Sequence, residues 1–341
     1  MRAGGPRGDR DHRLALRRLP PVASRVQARP RDVQERRRRN RLPHARGAPP
    51  RDIRAVKSGF VAVAGRPNVG KSTLVNALCG GKVAIVSDKP QTTRRRIAGV
   101  ANGDGFQLAL VDLPGFQRPL DPLTERMQRT VDQAFEGVDA VLFVLSARER
   151  IGAGDRFIAE RVFSLRVPVV IALNKVDRLK PGHIATQMET ASKLGDFHAL
   201  HPVSAKTGDG IAELREELVE LLPEGPAYFP PDQRSDLPLE DQVGELVREK
   251  ALALTKEELP HAISVEVEEL GEKVIRANVY VETDSQKQIV VGRGGSVVKE
   301  IGTRARPEIE QLLGHPVYLE LQVKVRPKWR RDERLLERLG I

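Results

Sequence analysis

The sequence predicts an α/β protein in two parts: a mostly parallel sheet covered by helices, then a smaller α+β domain. Three observations carry this. From Lys57 onward, short apolar runs alternate with stretches of helical spacing, the pattern of strands buried on both faces. The loop GRPNVGKST, residues 65–73, sits between the first apolar run and a helix-like run. The segment PEGPAYFPPDQRSDLP, residues 223–238, breaks the alternation with five prolines, and the order of elements changes after it. A chain of 341 residues is long enough for two domains, each with its own core.

The expected strands of the first part are GFVAVA (59–64), FQLALV (106–111), DAVLFVL (139–145), PVVIAL (168–173) and ALHPVS (199–204). TERMQRTVDQAFEGV and GIAELREELVELLP carry the helical spacing between the later ones. The second part reads as a helix over about 239–255, the strands AISVEVEEL and VIRANVYVET, two helices around Gly292–Gly295, and the strand PVYLELQVKV. The expected division is residues 1–56 as an arm, 57–226 as the first domain, 227–238 as a linker, 239–331 as the second domain and 332–341 as a tail.

Charge separates the arm from the body. The whole chain is +11, and residues 1–56 hold 17 Arg, no Lys and 5 acids, a net of +12, so the remainder carries 11 − 12 = −1. The basicity therefore belongs to the arm, which has little apolar periodicity and reads as disordered. It reads as a basic arm for RNA, as a targeting segment, or as translated upstream DNA ahead of a true start near Val56 or Lys57. No apolar stretch approaches membrane-spanning length. The single cysteine, Cys79, excludes a disulfide framework, fits a reducing cytoplasm and reads as a small buried side chain.

Gly65-Arg66-Pro67-Asn68-Val69-Gly70-Lys71-Ser72, followed by Thr73, matches the GxxxxGK[ST] phosphate loop. Glycines let backbone N–H groups wrap phosphate at a helix start, Lys71 supplies a point charge, and Ser72 offers Mg²⁺ a hydroxyl. Asn174-Lys175-Val176-Asp177 follows a later strand. The Asp177 carboxylate can accept from the N1–H and N2–H₂ groups of guanine, a donor pair adenine lacks, and the Lys175 stem can cover the base. Asp112-Leu113-Pro114-Gly115 ends another strand. Asp112 is placed to hold the metal through water, and the Gly115 N–H to sense a γ-phosphate. Of Thr92 and Thr93, Thr93 is the preferred Mg²⁺ ligand from a mobile switch. Ser204-Ala205-Lys206 would close the base pocket through backbone N–H groups.

These motifs, with QTTR, VSAKTG and PEGPAYFP, resemble the translation-factor-related GTPases and more narrowly the Era family, from about Phe60 to the end of the chain. The resemblance implies GTP hydrolysis with GTP or GDP and Mg²⁺ as ligands. It also implies that Asn68 helps hold a K⁺ in place of an arginine finger. Leu113 departs from the family's usual Thr. Phe116 stands where Ras-like enzymes have a water-orienting glutamine, so slow intrinsic hydrolysis is expected.

A second glycine loop, Gly292-Arg293-Gly294-Gly295, is by itself no more than a helix–helix turn. The order helix, strand, strand, helix, GxxG, helix, strand resembles a prokaryotic-type KH domain, whose loop clamps about four single-stranded nucleotides. Arg293, and Lys299 in the following helix, would add charge. Residues 236–285 hold 5 basic and 13 acidic side chains, a net of −8, whereas 286–331 hold 10 and 4, a net of +6. The positive half is the one with the loop, as a phosphate-tracking groove requires. Trp329 among basic residues fits either stacking on a base or capping the core. His198 and His201 have ligand-like spacing, but no further Cys or His pair completes a metal site.

By resemblance the chain is a nucleotide-driven switch that binds small-subunit ribosomal RNA near its 3′ end and acts in assembly of the 30S subunit. It would be a cytoplasmic monomer, with peripheral contact at the inner face of the membrane as a family trait. Two rivals are a constitutive RNA-binding protein with an uncoupled GTPase, and a phosphotransferase, for which no acceptor motif is visible.

Overall fold

The computed structural model describes residues 55–89, 91–115, 120–257 and 259–341; the arm up to residue 54 and Phe116 lie outside them. The described chain forms two compact units, each discontinuous in sequence.

The first unit comprises the described residues up to Gly81, Gly99–Asp112 and Ala134–Arg234. Its sheet runs β2 (Ile97–Gly103), β3 (Phe106–Asp112), β1 (Val56–Ala64), β4 (Ala140–Ser146), β5 (Val169–Asn174), β6 (Ala199–Pro202), and the short β7 (Glu224–Gly225) pairs with β1. The pairs β1–β3, β1–β4, β4–β5 and β5–β6 are parallel and β1–β7 is antiparallel. Strand β4, AVLFVLS, is buried at every position, which is why it reads as a continuous apolar run. Helices α1 (Lys71–Cys79), α3 (Ala153–Phe163), α4 (Pro181–Ser192) and α5 (Ile211–Glu220) belong to this unit. Leu74, Val75 and Leu78 of α1 and Leu214 and Leu218 of α5 pack with β-strand residues such as Val63, Leu110 and Leu142 in one core. Cys79 is half-buried against that core, and burial pushes its thiol up to about 12, so it is an inert packing residue.

The second unit comprises Lys82–Ala98, Leu113–Gln133 and Ser235–Ile341. Its sheet has the order β10 (Tyr318–Val325), β9 (Val274–Val281), β8 (Ser264–Leu270), with β9–β10 parallel and β8–β9 antiparallel. Helices α6 (Leu239–Leu254), α8 (Asp284–Val291) and α9 (Ser296–Leu313) accompany it, with a single-turn α7 (Leu259–Ala262). Val243, Val247 and Ala251 of α6 meet Ile301, Ala305 and Ile309 of α9 over Ile275, Ala277 and Val279 of the sheet.

A separate cluster in this unit joins Leu123 and Met127 of α2 (Pro122–Ala134) to Tyr280, Trp329, Leu335, Leu336 and Leu339. Residues 332–341, expected as a tail, thus carry a helix, α10 (Glu333–Arg338), whose first turn is capped by the Asp332 side chain. Its apolar residues fall at positions 335, 336 and 339, a one-turn stripe too short to register as a periodic signal. Trp329 resolves to the core: it is fully buried, and its Nε1–H donates to the Ala262 carbonyl at 2.7 Å.

Candidate functional site

The first glycine loop leaves β1 and enters α1. Gly70 is the residue before the helix, with φ 98°, and no side chain caps the first turn of α1, which also carries no acid. Its uncapped N–H groups therefore face outward at the positive end of the helix dipole. A Cβ at Gly70 would overlap the Asn174 amide, so only glycine fits both the backbone angle and the space.

Lys71 is buried, and its ammonium donates to the carbonyls of Gly65 and Arg66 at 3.1 and 3.0 Å. Burial pushes it down to about 8, with Asp112 pulling the other way. A neighbouring phosphate would favour the charged form. The Ser72 hydroxyl donates to Asp112 Oδ2 at 2.8 Å, and Asp112 is fully buried at the end of β3. A hydroxyl and a carboxylate placed together are the hard oxygen donors Mg²⁺ accepts, so the residues present fit that ion. No group of three or more His, Cys, Asp or Glu among the described residues suits any further metal.

Asn174 acts as a strut. Its Nδ2 donates to the Val69 carbonyl at 2.9 Å, and its Oδ1 accepts from the N–H groups of Lys175 and Ala205 at 2.8 and 3.0 Å. One side chain thus ties the phosphate loop to the NKVD and SAK segments. Lys175 adopts a left-handed backbone, φ 71°, and its ammonium reaches the Asn68 carbonyl, laying the stem beside the glycine loop. Asp177 lies in a short turn after β5 with its side chain only 8% exposed, Oδ1 accepting from the Ser204 hydroxyl and Oδ2 from Arg148, both at 3.2 Å. The SAK backbone is more committed than its sequence suggests. The Ser204 N–H goes to the Asp209 carbonyl and that of Ala205 to Asn174, so closure of the pocket by N–H groups falls to the exposed Lys206.

The ion-pair partners of two arginines, Arg66 of the phosphate loop and Arg148, escaped sequence reasoning. Arg66 pairs with Asp155 at 2.7 Å and Glu149 at 2.8 Å, anchoring the loop's second residue to the start of α3. Although burial opposes it, those two carboxylates raise its pKa. Arg148 holds Asp177. Neither has a spacing signal, because each partner comes from a different βα connection.

Thr93 belongs to the second unit, where it is buried. Arg248 of α6 donates to the carbonyl of Thr92, and Arg94 donates to those of Ile263, Pro260 and His261 at 2.7, 3.2 and 3.1 Å. Arg95 pairs with Asp241 at 2.7 Å. Leu113, Pro114 and Gly115 open the other stretch of this unit, and Leu113 is fully buried. Sequence reasoning gave the arginines at 94–96 no role of their own. The signal that could have found their partners is the acidic spacing of α6, Asp241 and Glu245.

The second glycine loop forms a single tight turn between α8 and α9. Gly292, Gly294 and Gly295 have φ 74°, 60° and 80°. A Cβ at Gly292 would meet Val297 Cγ2 at 2.6 Å and its N at 2.8 Å, whereas Gly294 and Gly295 border open space. Arg293 and Lys299 are exposed. The α9 N-terminus has no side-chain cap and no acid in its first turn. Both glycine loops therefore present an uncapped helix start.

A family described as "50S ribosome-binding GTPase" matches residues 60–175, and a KH domain family matches residues 258–330. A crystal structure of a tyrosine-to-alanine variant of Aquifex aeolicus Era bound to GDP·AlF4− is 39% identical, covering 84% of this chain and 99% of its own, with TM-score 0.81. A structure of Era in complex with MgGDPNP and nucleotides 1506–1542 of 16S ribosomal RNA is 38% identical over the same shares, again with TM-score 0.81. With the phosphate loop, the NKVD turn and the GxxG turn all placed within that shared fold, the chain belongs to the Era family of GTPases.

Proposed function

We propose that the chain binds GTP or GDP with Mg²⁺ at the first glycine loop, hydrolyses GTP, and binds small-subunit ribosomal RNA near its 3′ end through the second, acting in assembly of that subunit. The observation that carries this is the occurrence in one chain of a phosphate cradle joined to a carboxylate for guanine and a GxxG turn opening an uncapped helix. Lys71 would hold the outer phosphates, Ser72 and Asp112 the metal, with Thr93 joining them and the Gly115 N–H sensing the γ-phosphate in the GTP state. Mg²⁺ supplies charge neutralisation at the phosphates. Asp177 selects guanine. Gly292 to Gly295 let an RNA backbone approach, with Arg293 and Lys299 on its phosphates. The related Era structures with GDP·AlF4− and with MgGDPNP and 16S RNA support both halves of this reading.

The switch version requires RNA affinity to depend on the nucleotide. Residues flanking the proposed γ-phosphate sensors, Lys82–Ala98 and Leu113–Gln133, fold with the KH sheet, which supports it. The test is affinity for a short RNA copied from the 16S 3′ end, with the chain loaded with a non-hydrolysable GTP analogue or with GDP. Tighter binding with the analogue is expected, and Gly294→Asp should weaken binding about tenfold or more while hydrolysis continues, because it adds a negative side chain at a φ of 60° beside phosphate. Equal affinity in both nucleotide states would favour a constitutive RNA binder with an independent GTPase.

Asn68 is the proposed K⁺ ligand. It has φ 64° at the tip of the loop, where a monovalent cation could add positive charge to the transition state. Hydrolysis about tenfold or more faster in K⁺ than in Na⁺ is expected, and equal rates would remove the ion from the mechanism. The chain is proposed to act as a cytoplasmic monomer that meets the inner membrane face only peripherally. No helix among the described residues is long and apolar enough to cross a membrane.

A further inference from the structure

The carboxylate proposed to read guanine is covered in this structure. Asp177 has to meet two N–H groups at a base edge, yet its side chain is 8% exposed. Two side chains close over it. The Ser204 hydroxyl donates to Oδ1 and the Arg148 guanidinium to Oδ2, both at 3.2 Å. Arg178 stands further off, its Nε 4.0 Å from Oδ2, beyond hydrogen-bond range.

The two covers differ in freedom. Ser204 is fully buried, its Oγ accepts from the Thr207 N–H at 3.2 Å, and its own N–H donates to the Asp209 carbonyl at 2.9 Å. It is part of the fixed wall. Arg148 is 41% exposed and touches Asp177 with Nη2 alone, so rotation about its side-chain bonds frees Oδ2 without moving the backbone. The backbone it hangs from is anchored beside the NKVD turn. Ser146 of β4 pairs with Asn174 of β5, and the Ala147 N–H donates to the Asn174 carbonyl at 2.8 Å. Lys175, whose stem would lie on the base, has its pKa lowered, by burial foremost, with Arg148 and Arg66 adding to it against Glu149 and Asp177. Arg148 thus stands at the base pocket, tethered on a fixed stem with a free tip.

The chemistry of the cover matches that of the ligand. Guanine presents N1–H and N2–H₂ around one carbon, and a guanidinium presents the same fork of N–H donors around its own. Both address a carboxylate, and both draw on the same acceptor oxygens. We infer that Arg148 is a gate for guanine recognition: it caps the Asp177 carboxylate before the base arrives and swings into water when guanine takes its place. The gate rests on the guanine-nucleotide reading of the preceding subsection and adds the residue that sets how often that site is open. A gated site loses apparent affinity in proportion to the fraction of time it is closed. For an ion pair as exposed as this one, that loss is about threefold.

The experiment measures GDP and GTP binding to the full chain and to Arg148→Ala, by equilibrium titration and by stopped flow. The variant should bind both nucleotides about threefold more tightly. The gain should lie in faster association with dissociation unchanged, because the arginine has already left the carboxylate in the bound state. High salt should shrink the difference, since an exposed pair is screened. Arg148→Lys, which keeps the charge and loses the fork, should fall between parent and alanine variant. In an Asp177→Asn background, xanthosine diphosphate should bind equally with and without Arg148→Ala, whereas a general loosening of the pocket would alter that affinity too. Weaker GDP binding or faster GDP release in Arg148→Ala overturns the gate and makes the arginine a support of the bound base. Unchanged affinity and association overturn it as well, as does an equal gain for xanthosine diphosphate in the Asp177→Asn background. A parent chain that does not bind GDP instead overturns the guanine-nucleotide reading, so the two failures are told apart.

Discussion

Replacing Asp177 with Asn is expected to lower affinity for GDP and GTP by roughly 10²–10⁴-fold while leaving the fold intact. Two charge-assisted hydrogen bonds from guanine N1–H and N2–H₂ are each worth about 1.5–3 kcal/mol, and each 1.4 kcal/mol is a factor of ten. An amide in the same place presents one acceptor and one donor, so its NH₂ opposes an N–H of the base. Xanthine, which carries a carbonyl oxygen in place of the guanine amino group, matches that amide, and xanthosine diphosphate should be bound better by the variant than by the parent. The structural cost is small because the partner charge is exposed: Arg148 is 41% accessible and returns to water when the carboxylate is lost. The Ser204 hydroxyl can bond an amide oxygen as readily. Titration of GDP and xanthosine diphosphate, with a urea midpoint as a check on folding, reads the outcome. A variant that binds GDP as tightly as the parent would remove Asp177 from the base pocket.

That site was legible because its chemistry is local. Phosphate loop, NKVD and SAK each follow a largely buried strand, and a parallel sheet delivers the carboxyl ends of such strands to one edge. What the motifs hid is how they are joined. Asn174, expected only as the first letter of NKVD, spans from the Val69 carbonyl to the Ala205 N–H, a tie between segments over a hundred residues apart. Strand β2, IAGVANG, escaped notice because Ala98, Gly99 and Ala101 supply three of its five buried positions, and β7 is two residues long. The greater surprise lies in Arg94 and Arg95. A triplet of arginines in sequence reads as a solvated basic run, yet these two are 3% and 9% exposed. Their burial depends on Asp241 and Glu245 of α6, on carbonyls of residues 260–263 and on the Trp329 ring. Pairings so distant in sequence leave no periodic trace.

Trp329→Ala is expected to destabilise the second unit by about 3–5 kcal/mol, the range for deleting a large buried aromatic. The ring is fully buried among Leu123, Met127, Tyr280, Leu335, Leu336 and Leu339, residues contributed by α2, β9 and the C-terminal helix. Its removal opens a cavity at the junction of all three. The Ala262 carbonyl loses its indole donor. The loss extends further, to a cation. The Arg94 guanidinium lies 5.4 Å from the ring centroid, and burial, with the neighbouring Arg248, drives its pKa well below the ordinary arginine value. A desolvated cation over an aromatic face gains about 2 kcal/mol from it, so the alanine variant leaves Arg94 with carbonyl partners alone. Trp329→Phe keeps most of the packing and a ring face while losing the indole N–H, and should cost about 1–2 kcal/mol. Two measurements separate this from general loosening. The denaturation midpoint should fall in the order parent, Phe, Ala. Amide hydrogen exchange should accelerate first in residues 92–98 and 259–263, which Arg94 ties together, while β4 and β5 of the first unit stay protected. Since residues 92–98 include the proposed metal ligand Thr93, the same variant should weaken Mg²⁺-dependent discrimination between GTP and GDP. Unaltered exchange in residues 92–98 would show that Arg94 holds that segment without the ring, and that the tryptophan serves the core alone.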